Sequence, residues 1–219
     1  MSFHFKTELA RGLDALEIEL DVAAYEPLEM YFKELKKWNK KVNLIAKVTS
    51  EAEIVEKHFI DSLTLLPFLQ KDGSHLLDIG TGGGFPGLIC KTALDPLGLT
   101  LVEPRLKRVS FLRHIVRTLG LHNVEILANR LEDEPELNRR AFTHITCRAV
   151  TEIGPFLEMV AGFSSTGAAV VCMKGPRWVE ELEEARLIME KTGYRQNTIV
   201  EHVLPQSGAQ RTLLFFAGS

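Results

Sequence analysis

The chain is poor in cysteine, with only Cys90, Cys147 and Cys172 in 219 residues. An odd count without metal-ligand spacing excludes a disulfide framework and a thiolate zinc site, and reads as buried, reduced thiols. No apolar run approaches the roughly 18 residues that span a bilayer. The opening Met1-Ser2-Phe3-His4-Phe5-Lys6-Thr7-Glu8 lacks the apolar core of a signal peptide. The expectation is a reducing, cytoplasmic setting with no membrane partner. Net positive charge is also missing. The formal charge is −3, so a polyanion would have to be met by local basic clusters rather than by the whole surface. The histidines form no His-x-x-x-His pair, and neither a Gly-x-Ser-x-Gly elbow nor a Walker loop occurs. No metal is expected. The absence of any Pro-Pro dipeptide removes the Asn/Asp-Pro-Pro-aromatic tetrapeptide of enzymes that methylate exocyclic amines.

What is present is a glycine loop, Asp78-Ile79-Gly80-Thr81-Gly82-Gly83-Gly84, between the apolar Leu76-Leu77 and a helix-like Leu88-Ile89-Cys90. An acid that ends a strand, followed by alternating glycines that open a helix, lets backbone approach a nucleotide closely. The spacing suits S-adenosylmethionine, and Gly82-x-Gly84-x-x-Gly87 also satisfies the dinucleotide fingerprint. The next apolar run, Leu99-Thr100-Leu101-Val102, ends in Glu103, at about the twenty-residue offset expected of an acid that accepts from ribose hydroxyls.

Apolar positions at helical spacing predict helices over 6–20 and 25–41, and a third over 51–70 that starts from a capping box at Ser50 and Glu53. Residues 1–70 are therefore expected to form a helical cap on a nucleotide-binding domain spanning 71–219. From residue 75 the pattern alternates, with strands at 75–79, 98–103, 123–128, 143–147 and 168–173. Helices at 87–94, 105–119, 152–163 and 177–192 fit between them, as in an α/β parallel sheet covered on both faces. Strands at 195–204 and 211–217 are separated by only Pro205-Gln206-Ser207-Gly208-Ala209-Gln210. That is too short for a parallel crossover, so the last strand should run antiparallel. A mostly parallel seven-stranded sheet with a reversed last strand is the Rossmann-like class I methyltransferase arrangement, which favours S-adenosylmethionine over a dinucleotide.

Ligands in such sheets lie beyond the carboxyl ends of the strands. The candidates there are Gly80 to Gly87, Glu103, Asn129-Arg130-Leu131-Glu132, then Arg148 after the fourth strand, and Lys174, Gly175 and Arg177 after the fifth. Glu132 could accept from an adenine amino group or stand on a surface turn. Arg148 is unusual directly after an apolar strand, because a buried guanidinium needs a partner. Lys174 could hold a phosphate or base carbonyl, or extend to water. Cys147 lacks the preceding proline of pyrimidine-C5 methyltransferases and reads as a buried thiol. Lys33, Lys36, Lys37, Lys40 and Lys41 read as a solvated helix face.

Taken together, the chain resembles the small-subunit ribosomal RNA guanine-N7 methyltransferases, also called glucose-inhibited division protein B. The resemblance runs through Trp38-Asn39-Lys40-Lys41-Val42-Asn43-Leu44, His58-Phe59-Ile60-Asp61-Ser62-Leu63, the glycine loop with Phe85-Pro86-Gly87, Lys107-Arg108-Val109-Ser110-Phe111-Leu112, Arg130-Leu131-Glu132, Arg148-Ala149 and Lys174-Gly175. It implies an S-adenosylmethionine pocket lined by Gly80, Phe85, Leu131, Glu132 and Arg148, with Glu103 at the ribose; Asp78, Gly82 and Gly84 of the glycine motif complete the candidate cofactor-binding set. The implied substrate is one guanosine in the 530 loop of 16S ribosomal RNA, free or within the small ribosomal subunit. Lys47, Arg105, Lys107, Lys174 and Arg177 are the candidate RNA contacts. Ile45-Ala46-Lys47 and Pro104-Arg105-Leu106 depart from the family pattern at the RNA-facing surface. Neither DNA nor a second subunit is implied. Guanine N7 carries a free lone pair, so no catalytic acid or base is named. The alternative readings are a small-molecule S-adenosylmethionine-dependent methyltransferase, which the net negative charge would suit, and a non-catalytic nucleotide-binding module.

Overall fold

The structure is a computed structural model that describes residues 3–46, 50–69 and 72–218. Its centre is a sheet of seven strands among the described residues, in the order β3-β2-β1-β4-β5-β7-β6. The strands are β1 His75–Ile79, β2 Gly98–Val102, β3 Val124–Leu127, β4 His144–Arg148, β5 Ala169–Lys174, β6 Arg195–Val203 and β7 Gln210–Ala217. Each lies within one residue of its expected limits. The small shifts matter at two positions, because Arg148 and Lys174 are the last residues of β4 and β5 rather than the first residues beyond them.

Strands β1 to β5 pair in parallel, and β7 runs antiparallel to both β5 and β6. The short connection between β6 and β7 permits no other arrangement. Leu77, Ile79, Ile145, Cys147, Val170, Cys172, Leu214 and Phe216 share one apolar cluster; Leu76, Leu99, Leu101, Val171, Met173, Leu213 and Phe215 share the other. This period-two alternation between two buried faces is the mark of a sheet covered on both sides. Edge strand β6 is exposed at alternate positions and carries a bulge between Gln196 and Thr198.

The cluster around Leu76, Leu99 and Leu101 also contains Phe5, Leu9 and Leu13 of α1 (Phe5–Asp14), Leu28, Tyr31, Phe32 and Leu35 of α2 (Tyr25–Asn39), and Phe59 and Leu63. α1 is shorter than the expected 6–20, and Glu17 takes a positive φ of 54° just beyond it. The expected helix over 51–70 is composite: α3 (Glu51–Ile54) continues through a π-helical stretch, Val55–Ile60, into α4 (Asp61–Leu63). Ser50 Oγ accepts from Glu53 N at 3.1 Å, as a capping residue should. Glu56, almost fully buried in the π stretch, accepts from the Gln206 and Ser207 amides of the β6–β7 turn.

α5 (Gly87–Ala93) and α6 (Leu106–Thr118) pack on the same face as the N-terminal helices. α7 (Ile153–Met159), α8 (Trp178–Glu184) and α9 (Arg186–Thr192) lie on the other. The single helix expected over 177–192 is broken at Ala185. That residue is buried against Gly154 of α7, where a Cβ would lie 3.6 Å from Ala185 Cα, so the break lets both short helices follow α7.

Candidate active site

β1 lies between β2 and β4, so the connections leave it in opposite directions and open a crevice at its carboxyl end. A cavity of about 890 Å³ occupies that position. Its floor is the loop Gly80–Gly83 with Phe85, and its walls include Lys57, His58 and Asp61, then Arg148–Glu152 after β4, Met173–Gly175 after β5, and Arg211 of β7. The sequence brings these together because strands of similar length, in register, end at the same level.

The glycine loop is held at both ends by carboxylates. Asp78 Oδ2 accepts from Thr81 Oγ1 at 2.7 Å and from Gly87 N at 2.8 Å, which ties the end of β1 to the start of α5. Complete burial pushes the Asp78 carboxyl up to about 6 against the pull of those donors. Glu103 Oε2 accepts from Gly82 N and its Oε1 from Arg105 N, both at 2.9 Å, with Arg108 Nη1 3.7 Å away. The Glu103 carboxylate thus turns onto the loop and the first turn of α6, and it does not line the cavity. A carboxylate offers about four lone-pair sites, so capacity for ribose hydroxyls remains. Leu131 is buried and Glu132 exposed, on a 3₁₀ turn outside the cavity.

Gly80, Gly82 and Gly84 all take positive φ, of 68°, 60° and 89°. A Cβ at Gly80 would come within 2.6 Å of Val150 Cγ2, so the bare backbone leaves a cradle that a side chain would close. Gly84 does not face the cavity. It lies under Tyr31 of α2, whose hydroxyl donates to Gly83 O at 2.7 Å. Tyr31 thereby links the N-terminal helices to the loop.

Arg148 is the most heavily engaged site residue. Its Nη1 donates to Asp61 Oδ2 at 2.9 Å and to Lys57 O at 2.8 Å, its Nη2 donates to His58 Nδ1 at 3.1 Å, and its guanidinium lies 5.0 Å from the Phe85 ring centre. Asp61 Oδ1 also accepts from Arg211 Nε at 3.1 Å, so one buried carboxylate serves two arginines from β4 and β7. His58 packs on Phe85 with ring centres 4.9 Å apart, and burial with the neighbouring Arg148 drives its pKa down to about 3. Sequence reasoning assigned no role to His58, Asp61 or Arg211. The available signal was the spacing of His58 and Asp61, three residues apart and so on one helical face beside the apolar Phe59, Ile60 and Leu63, since buried charge is rare unless paired.

Lys174 donates to Thr151 O at 2.6 Å and pairs with Glu181 at 2.7 Å, so its ammonium is spent inside the protein. Arg177 lines the cavity and is exposed. Arg105 and Lys107, also exposed, line an adjoining cleft with Lys41, Asn43 and Arg108, and Arg108 borders both spaces. Lys47 lies outside the described residues. Cys147 and Cys172 are buried neighbours on β4 and β5, and burial raises both thiols, which leaves no thiolate for nucleophilic catalysis.

A family model described as rRNA small subunit methyltransferase G matches residues 24–213. The chain belongs to that family. It is 58% identical over 215 residues to the ribosomal RNA small subunit methyltransferase G of Desulfotalea psychrophila, covering 98% of this chain and 99% of the relative. The protein of the same name from Syntrophus aciditrophicus is 40% identical over 87% of this chain and 80% of its own length. Among solved structures, a putative O-methyltransferase from Klebsiella pneumoniae superposes with a TM-score of 0.60 at 16% identity, over 99% of this chain and all of that one. M. jannaschii TYW2 in complex with AdoMet gives 0.57 at 13% identity, over 74% and 77% of the two chains. These likenesses establish the Rossmann-like class I methyltransferase fold. Membership makes this chain an S-adenosylmethionine-dependent methyltransferase of the ribosomal RNA family. Among the described residues, no helix is long and apolar enough to cross a membrane, and no His, Cys, Asp and Glu cluster of metal-site size occurs.

Proposed function

We propose that this enzyme methylates N7 of a single guanosine in the 530 loop of 16S ribosomal RNA, in the cavity at the carboxyl ends of β1, β4 and β5. The observation that carries this reading is the bare backbone of Gly80–Gly83 beside the Arg148–Asp61–Arg211 network, in a chain of this family. The cradle fits S-adenosylmethionine, which when bound supplies an electrophilic methyl on a sulfonium. Gly80 and Gly82 would hold it by backbone, Phe85 and Arg148 would line it, and Glu103, Leu131 and Glu132 would meet its adenosine end. Residues 1–70 form the cap and 71–219 the catalytic domain in this reading, with Tyr31 and Asp61 as the links between them.

Guanine N7 presents an in-plane lone pair and no proton. The protein therefore need not remove a proton, and its contribution is alignment for in-line displacement, worth up to ~7–11 kcal/mol in ideal cases. The fixed guanidinium of Arg148 and the braced loop are suited to that work. Reaching N7 in folded RNA requires an unstacked base. Arg177 at the cavity and Arg105 and Lys107 in the adjoining cleft, all exposed, would hold the flanking phosphates. The product is expected to leave as the neutral thioether. No second subunit is required by this geometry.

The test is transfer of a labelled methyl to unmodified 16S RNA and to intact small subunits, mapped by reduction and aniline cleavage. Cleavage at one guanosine of the 530 loop supports the reading; no label with cofactor bound overturns it. Lys107→Ala should reduce the slope of log affinity against log salt by about 0.7–0.9, the share of one phosphate contact. An unchanged slope would remove Lys107 from the RNA surface.

A further inference from the structure

We propose that His58 reads the target base, donating its Nε2–H to guanine O6 while N7 faces the methyl group. This rests on the guanine-N7 reading above and identifies the residue that would make the pocket select guanine.

The tautomer follows from the neighbour. Arg148 Nη2 lies 3.1 Å from His58 Nδ1, and a guanidinium has only donors to offer. Nδ1 must accept, so the single proton of the neutral ring sits on Nε2. His58 lines the cavity, and Nε2 has no protein partner among the described residues. The ring is also held in place. Arg148 is fixed by Asp61 and by Lys57 O, and Phe85 stacks against both His58 and the guanidinium. The π-helical stretch Val55–Ile60, a form of helix often found at functional sites, presents Lys57 O and His58 to the same arginine. Burial and the adjacent positive charge oppose a second proton, so the ring stays neutral.

The outcome is a rigid, uncharged donor with its acceptor nitrogen already used. Guanine offers N7 and O6, both acceptors, side by side on its Hoogsteen edge. Adenine replaces O6 with an amino donor, which would set two donors against each other beside N7. A site of this kind discriminates because the wrong base leaves buried polar groups unpaired.

The experiment compares wild type, His58→Ala and His58→Gln on 16S RNA carrying either guanosine or 2-aminopurine riboside at the mapped site. 2-Aminopurine keeps N7 and lacks O6, and mass spectrometry reads N7 methylation of either base. On native RNA, His58→Ala should lose on the order of 100-fold in kcat/KM, with S-adenosylmethionine affinity unchanged. Wild type should lose a similar factor on the 2-aminopurine RNA, and His58→Ala should lose nothing more. His58→Gln, which can place an N–H near the same point, should recover part of the rate on guanosine alone. A variant that binds S-adenosylmethionine more weakly and still pays for removal of O6 would assign His58 to the cofactor and overturn the proposal. Should His58→Ala fail to fold, wild type and His58→Gln decide: wild-type indifference to O6 overturns the proposal, and a smaller loss on the 2-aminopurine RNA in His58→Gln than in wild type upholds it. Wild-type methylation of native RNA at N7 shows that the functional reading stands, whichever way the O6 comparison falls.

Discussion

Asp61→Ala is expected to destabilise the fold by about 3 kcal/mol, because it leaves two arginines facing the same empty site. Removing one partner of a buried ion pair typically costs about 3–5 kcal/mol. The lower end applies here, because Arg148 and Arg211 keep 14% and 25% of their side-chain surface in contact with water. Asp61 itself is 4% exposed and accepts from Arg148 Nη1 at 2.9 Å and Arg211 Nε at 3.1 Å. Urea unfolding of wild type, Asp61→Ala, Arg148→Met and the double variant would measure the coupling. The double variant should cost clearly less than the sum of the singles, since it removes the guanidinium that the first substitution strands. Additive losses, or a loss below about 1 kcal/mol, would show that water serves Arg148 as well as the carboxylate does. The functional consequence is separable. Arg148 released from Asp61 no longer holds His58, so Asp61→Ala should lower methyl transfer further than the unfolded fraction explains, when rates are taken per folded molecule.

The same residues mark the boundary of what could be read from the chain. The strands were legible because each is a short apolar run bounded by turn residues, and a buried parallel strand needs little else. The reversed β7 was legible from the length of one turn. The glycine loop was legible because positive φ confines those positions largely to glycine. The Arg148–Asp61–Arg211 network was not, since its members are separated by about ninety and sixty residues and meet only when the π-helical stretch is laid against the ends of β4 and β7. No periodicity predicts a π turn, whose extra residue per turn is decided by tertiary contacts. Lys174 shows the opposite limit. Its position at a strand end suggested a free cation, yet Glu181 on the following helix neutralises it. Glu103 was expected at the ribose from its offset, and the offset alone could not tell that both its oxygens already brace Gly82 and Arg105.

Gly84→Ala should be the most damaging small change in the loop, and its effect should fall on stability before cofactor binding. At φ 89° an L-residue pays about 1–2 kcal/mol. The added Cβ would also lie 2.9 Å from Leu88 Cβ and inside the Tyr31 hydroxyl. Tyr31 is fully buried and cannot swing aside, so overpacking adds about 1–3 kcal/mol. Displacing its hydroxyl from Gly83 O adds about 1 kcal/mol more. The total is about 3–6 kcal/mol, a large part of a typical domain's stability. Gly82→Ala provides the contrast. Its φ of 60° is an ordinary left-handed value, and the nearest atom to a Cβ is the Arg108 Nη1 at 3.4 Å, so the cost should be only about 1–2 kcal/mol. Gly82 lines the cavity and Gly84 does not. Per folded molecule, Gly82→Ala should therefore weaken S-adenosylmethionine more, although Gly84→Ala melts earlier. Adding Tyr31→Phe to Gly84→Ala removes the oxygen in the way and should restore part of the lost stability, even though Tyr31→Phe alone costs about 1 kcal/mol. If the second substitution worsened the first, the clash with Tyr31 would not be the cause, and backbone strain at Gly84 would have to carry the whole effect.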